Sequence, residues 1–286
     1  MPAIGNNCQT KNIIMQATLS RPATSLYCIR ISDKALCIAH TDGALEPQIH
    51  FTAYALKSGI DQASQVKAIL ENTEVVPTDC QEATILVDSE VMLVPNDEYE
   101  ASAIAEMYDQ TITGHTQDEK LAASVDVLSS MAVFPLKRET HQVLSQRFGT
   151  LHIHPTMWPL WCHFLSTDQH LHRNPLYGYF HDNHLDIFRF QHERFRFYNR
   201  FAVEQAPDAL YFLLYVWRQL GMDAETDHMV LIGDQPAELA GRLERHLRHV
   251  SSLQPAEEFM NAPASHIAEM PYDLLVFLEG TLNTKH

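Results

Sequence analysis

Residues 195–221, FRFYNRFAVEQAPDALYFLLYVWRQLG, decide how the rest of the chain is read. In the first part Phe195, Phe197, Asn199 and Phe201 alternate with Arg196, Tyr198 and Arg200, the period of two that belongs to a strand. Pro207 and Asp208 then stand at the first turn of a helix that Gly221 stops. From Leu210 to Trp217 no residue carries a charge, and a helix apolar all round is expected to be covered from more than one direction. The stretch reads as the last strand of a meander crossing into the central helix of an α/β unit.

Upstream of it, residues 176–180 and 185–190 are apolar strands joined by a turn at Asp182-Asn183, with a second turn near His192. Downstream, 229–232 reads as a parallel strand, 237–246 as a helix, 250–253 as a last strand and 272–282 as a closing helix. The first half runs in the same order. Strands at 26–32 and 35–41 meet at Asp33-Lys34, and a third at 48–56 follows a loop at Asp42-Gly43. A helix at 61–72, capped by Asp61, leads to strands at 83–87 and 91–94, the second stopped by Pro95. Then come a helix at 97–111, a polar loop at 112–120, a short strand at 131–134 ended by Pro135, and a helix at 137–148. A strand at 150–154 and a crossover helix at 155–165, kinked or started by Pro159, complete the half. The polar stretch 166–175 reads as a boundary. The expectation is an α/β fold with mixed sheets: an arm at 1–25, a first unit at 26–168 with a small insertion, and a second at 169–286, the two units facing a cleft.

Composition narrows the function. The 286 residues carry a net charge of −16, which disfavours nucleic acid and anionic membrane surfaces as partners. No apolar run approaches the ~18 residues of a membrane span, and the N-terminus lacks a secretory pattern, so a cytoplasmic protein without membrane insertion is expected. Cys8, Cys28, Cys37, Cys80 and Cys162 form no C-x-x-C pair and read as free thiols in a reducing compartment. The ten glycines are about half the usual share of ~7%. Neither G-x-G-x-x-G nor G-x-x-x-x-G-K-[ST] is present, which disfavours a nucleotide enzyme built on glycine loops.

Two copies of a meander, a helix and a parallel strand resemble the actin-like ATPase superfamily, with its ribonuclease-H-like subdomains. The motifs F-x-N-x-F at 197–201, D-A-L-Y-F-L-L at 208–214, L-I-G-D at 231–234 and V-M-L-V-P at 91–95 resemble domain-of-unknown-function family 3822, over residues 26–282. The element order of 83–165 is similar to that of PilM-type pilus-assembly adaptors. The superfamily resemblance implies Asp-x-Gly followed by Ser or Thr in each hairpin, so that backbone amides hold phosphate and Asp holds metal-bound water. A Gly-Gly pair after a late strand would hold adenosine. Here the hairpins read Ser32-Asp33-Lys34-Ala35 and His181-Asp182-Asn183-His184, without glycine, and the pair is reduced to Gly233-Asp234. Asp33, Asp182, Gly233 and Asp234 are thus the vestigial cofactor-binding candidates, and no catalytic or metal residue is assigned.

Other constellations have plain readings. His152 and His154, like His170 and His172, could share a strand face and chelate, but no Cys or acidic residue stands at a ligand interval. No G-x-S-x-G elbow supports a hydrolase. The arginine-aromatic run 189–200 suits a stacked base, or a strand pair with one apolar and one solvated basic face; the second is preferred. The expected function is a catalytically inactive actin-like domain that binds a protein partner or acts as a scaffold, without a cofactor. The alternative is a weak ATP–Mg binder or slow ATPase using Asp33, Asp182 and Gly233.

Overall fold

Two five-stranded sheets share one strand plan, in a computed structural model that describes residues 26–41, 48–72, 74–171, 174–192, 194–259, 262–267 and 269–283. The N-terminal arm at 1–25 and the Asp42-Gly43 loop lie outside the described residues. The first sheet is ordered β3-β2-β1-β4-β8 and the second β11-β10-β9-β12-β13. In each, a three-strand antiparallel meander is extended by two parallel strands. Mixed α/β architecture with two such units is what the sequence led us to expect.

The first meander is β1 (Tyr27–Ile31), β2 (Ala35–Thr41) and β3 (Ile49–Ala55). Helix α1 (Gln62–Leu70) follows, and its Asp61 cap accepts from the Ser64 amide at 2.8 Å. After β4 (Glu82–Val87) the chain leaves the sheet for a small three-stranded one, β5 (Met92–Pro95), β6 (Glu119–Val125) and β7 (Ser130–Leu136), in the order β5-β7-β6. Helix α2 (Ile104–Thr111) packs on it through Ile104 and Tyr108.

This insertion corrects three expectations. The helix expected from residue 97 begins only at Ile104, because Glu98 and Ala103 close i→i+3 turns instead of helical ones. The loop expected at 112–120 ends in the unforeseen strand β6. Pro135 does not end its strand either. The β5–β7 pairing starts at Met92↔Val133, so the missing proline N–H falls beyond the reach of β5.

Helix α3 (Arg138–Arg147), β8 (Thr150–Pro155) and α4 (Met157–Leu171) return to the first sheet. Pro159 lies in the first turn of α4, where its missing N–H costs nothing. That helix runs to Leu171, through part of the polar stretch read as a boundary. The second meander is β9 (Leu176–His181), β10 (His184–Gln191) and β11 (Arg194–Ala202). Then come α5 (Ala206–Gln219), β12 (His228–Gly233), α6 (Leu239–Leu243), β13 (His249–Leu253), α7 (Pro255–Glu258) and α8 (Tyr272–Asn283). The helix expected at 237–246 is confined to Leu239–Leu243.

Helices α4 and α8 lie between the sheets. From α8, Leu274, Leu275 and Leu278 pack against Cys28, Cys37 and Leu86 of the first sheet. From α4, Trp161 stands edge-on to Tyr198 and Phe164 leans on Tyr177 of the second, at 5.2 and 4.5 Å between ring centroids. Helices α5 and α6 cover the outer face of the second sheet through Leu213, Val216, Trp217, Leu239 and Leu243. They do not cover α5 all round. The second sheet and α6 cover α5 from more than one direction, as expected, while Tyr211 and Tyr215 remain 63% and 48% exposed. Its uncharged face includes two tyrosines whose hydroxyls tolerate water.

Candidate functional site

Where the two sheets approach, charged side chains stand in strands that are otherwise apolar. Arg30 lies on β1 between Ile29 and Ile31, on the face shared with Cys28 that meets α8. Its Nε donates to both carboxylate oxygens of Asp273 in the first turn of α8, at 2.9 Å each. Its Nη2 donates to Asp182 Oδ2 at 2.8 Å, from the first lobe to the turn of the second. Ser32 Oγ donates to Asp182 Oδ1 at 3.2 Å. Tyr179 donates its hydroxyl to Asp273 at 3.0 Å.

A second set sits on the inner face of the second sheet. Asp186 on β10 and Arg200 on β11 are register partners, joined by Nε–Oδ1 at 2.8 Å and Nη2–Oδ2 at 2.7 Å. Tyr198 donates to the same carboxylate at 2.8 Å. Arg200 Nη1 also stands 2.8 Å from Asp88 Oδ1, at the end of β4, near enough for an ion pair but not aligned for a hydrogen bond. His181 links the sets: Nε2 is 2.5 Å from Asp186, and Nδ1 faces Asp182 at 3.5 Å and Asp88 at 3.6 Å.

Electrostatics follow from these distances. Burial alone would lower the His181 pKa, but Asp88, Asp182 and Asp186 together raise it to about 9. Burial would raise Asp186 and Asp182. Arg200 and His181 outweigh it at Asp186, and His181 and Arg30 at Asp182, so both end well below the usual carboxylate range. Asp88 is lowered too, by Arg200, His181 and Arg30 against its own burial. With His181 protonated both ring nitrogens donate, so the 3.4 Å approach of Arg30 Nη2 to Nδ1 is a like-charge contact held by the surrounding acids. Four carboxylates against two guanidiniums and one imidazolium leave one net negative charge.

The candidates read from sequence divide. Asp182 is central to the network. Gly233 and Asp234 adjoin it, since the Asp234 amide donates to Phe180 O at 3.1 Å. A Cβ on Gly233 would meet that oxygen at 2.2 Å, so the glycine is required for close passage of β9. Asp33 stands apart, its side chain 85% exposed and 3.2 Å from Lys137. Sequence reading missed Arg30, Asp88, Asp186, Arg200 and Asp273. Their signal was there: a charge inside an apolar strand or at the head of an apolar helix must be paired when buried. The Arg200 side chain and Arg189 depart from the expected solvated basic face, since both are buried, while Arg194 and Arg196 are exposed as expected. Arg189 donates to Asn174 O at 3.2 Å.

A pocket of about 380 Å³ opens beside the turn, lined in part by Asp182, Asn183, His184, Glu204 and Asp234. Its carboxylates oppose a polyphosphate. Asp88, His181 and Asp182 bring one ligand-type atom each within 4.8 Å of one another, and Arg30 Nη2 already donates to Asp182 Oδ2 at 2.8 Å. The guanidinium thus already supplies one positive charge to this carboxylate.

His152 and His154 do not converge. His152 pairs with Glu82 at 3.1 Å, while His154 stacks on Trp158 and burial lowers its pKa to about 4. The side chain of His170, and His172, lie outside the described residues. Among the described residues no helix is long and apolar enough to cross a membrane.

Residues 17–250 match a family model described as protein of unknown function (DUF3822). None of the curated proteins matches the chain. Among solved structures, a Bacteroides thetaiotaomicron protein with actin-like ATPase fold and unknown function is similar, with a TM-score of 0.76 at 16% identity over 82% of this chain and 93% of that one. A chain of the PilM–PilN type IV pilus biogenesis complex is similar too, with a TM-score of 0.56 at 11% identity over 93% of this chain and 100% of that one. At these identities the likeness concerns the actin-like fold alone.

Proposed function

This chain belongs to the DUF3822 family, and from that premise we propose that it is an actin-like domain without ATPase chemistry, acting by binding another protein. One observation carries the reading. Arg30 and Ser32 of the first lobe hold Asp182 of the second at 2.8 and 3.2 Å, so the aspartate of the turn that the superfamily resemblance assigns to metal-bound water is already engaged by protein side chains. Hairpins without glycine offer no backbone cradle in compensation. That a similar fold belongs to the PilM–PilN complex is consistent with a protein partner.

The second reading, a weak ATP binder, has the pocket beside Gly233 and Asp182 in its favour. Its carboxylate lining and the outlying position of Asp33 weigh against it. Calorimetric titration of the full chain with ATP and magnesium separates the two, and no heat of binding is expected at micromolar concentrations. A micromolar isotherm lost in Asp182→Ala would replace the first reading by the second.

A further inference from the structure

The exposed face of α5 is what the cleft does not explain. Tyr211 and Tyr215, one turn apart, lie with near-parallel rings 5.9 Å between centroids. Pro207 and Arg218 extend the exposed stripe at i−4 and i+7 from Tyr211. Beside it runs a groove of about 490 Å³ between α5 and α6, lined by Leu210, Glu238, Gly241, Arg242, Arg245 and His246. Its floor is apolar at Leu210 and open at Gly241, where a Cβ would meet nothing within 4 Å.

Charge identifies the occupant. On a chain of net charge −16, this rim carries Arg242 and Arg245, and Arg218 stands exposed on the α5 stripe. Glu238, the one acid lining the groove, is engaged by Arg242 at 2.8 Å in an exposed i,i+4 pair that a competing carboxylate can displace at little cost. Arg245 has no carboxylate partner among the described residues. Arginine at the groove and tyrosine on the α5 stripe are also residue types enriched where binding energy concentrates at protein interfaces.

We propose that the α5–α6 groove docks an acidic segment of a partner protein, seating one apolar side chain over Gly241 while its carboxylates meet Arg242 and Arg245. The inference rests on the protein-binding reading above and names the surface and chemistry it uses. The test is selection of a displayed random 16-residue peptide library against the folded full chain, with fluorescence anisotropy of the enriched peptides. Enriched sequences should be net acidic with an aromatic or aliphatic residue. They should bind at least tenfold more weakly to Arg242→Glu/Arg245→Glu and to Tyr211→Ala/Tyr215→Ala. Gly241→Leu fills the floor on an ordinary helical backbone, so binding should fall while the thermal midpoint holds. Basic or uncharged enrichment, or binding that all three variants retain, overturns the proposal. So does a concentration-dependent dimer in sedimentation that Gly241→Leu dissolves, since it assigns the groove to a second copy. Titration with ATP reports on the cleft alone, so the two readings can fail separately.

Discussion

The β1–β2 turn and the β9–β10 turn occupy the same place in two sheets of the same strand order, and each carries an aspartate, yet the two have nothing else in common. In the first, Ser32 Oγ accepts from the amides of Lys34 and Ala35 at 3.2 and 3.1 Å, the side-chain turn that serine favours, and Asp33 points to solvent. In the second, Asp182 and Asn183 take φ of 45° and 65°, the left-handed pair of a type I′ hairpin, and Asp182 is drawn into the network. A turn aspartate is thus defined by what faces it. Asp33 faces water and Lys137, whereas Asp182 faces Arg30, Ser32 and His181.

The strongest way to break the comparison is to remove the partner. Arg30→Ala leaves Asp182 and Asp273 without their guanidinium and should lower unfolding stability by about 3–5 kcal/mol, read from the urea midpoint. Asp33→Ala, the matching change on the other turn, should stay within about 0.5 kcal/mol. Equal losses would mean that the network does not distinguish the two turns.

Titration sharpens the difference. The folded pKa of His181 is raised to about 9 from an unfolded value near ~6.5, so its stabilisation is complete below ~6.5 and is lost as pH rises through 9. Stability should therefore fall by roughly 3 kcal/mol between pH 6.5 and 10, and His181→Asn should flatten this window. On the acid side the depressed Asp182 and Asp186 act oppositely, contributing above ~4 and losing that contribution as pH falls. A wild-type alkaline limb unchanged in His181→Asn would place the titrating group elsewhere.

The smallest effect is at the turn backbone. Asn183→Gly creates Asp-Gly, a favoured type I′ pair, and should shift stability by no more than about 0.5 kcal/mol, with the Arg30–Asp182 contact intact. A loss above ~1 kcal/mol would show that the Asn183 side chain contributes as well.

Legibility in the sequence followed the range of the forces. The hairpin turns at Asp33 and Asp182, the cap at Asp61 and the stop at Gly221, with φ of 63°, were readable because each depends on a few neighbouring residues. Strand β6 was not, because EKLAASV is only weakly apolar and becomes a strand by pairing with β7. The helix expected from 97 was shortened because local propensity there yielded to consecutive turns.

By itself the chain determined most of its element order outside the small inserted sheet, and its two matching halves, since periodicity, capping and turn chemistry act over a few residues. Only the tertiary structure decided which charges would be buried together. Arg30 and Asp273 are 243 positions apart, and nothing local to either specifies the other. The same holds for α5, whose uncharged sequence announced an apolar surface. How much of it stayed exposed was set by where α6 and the second sheet stop covering it.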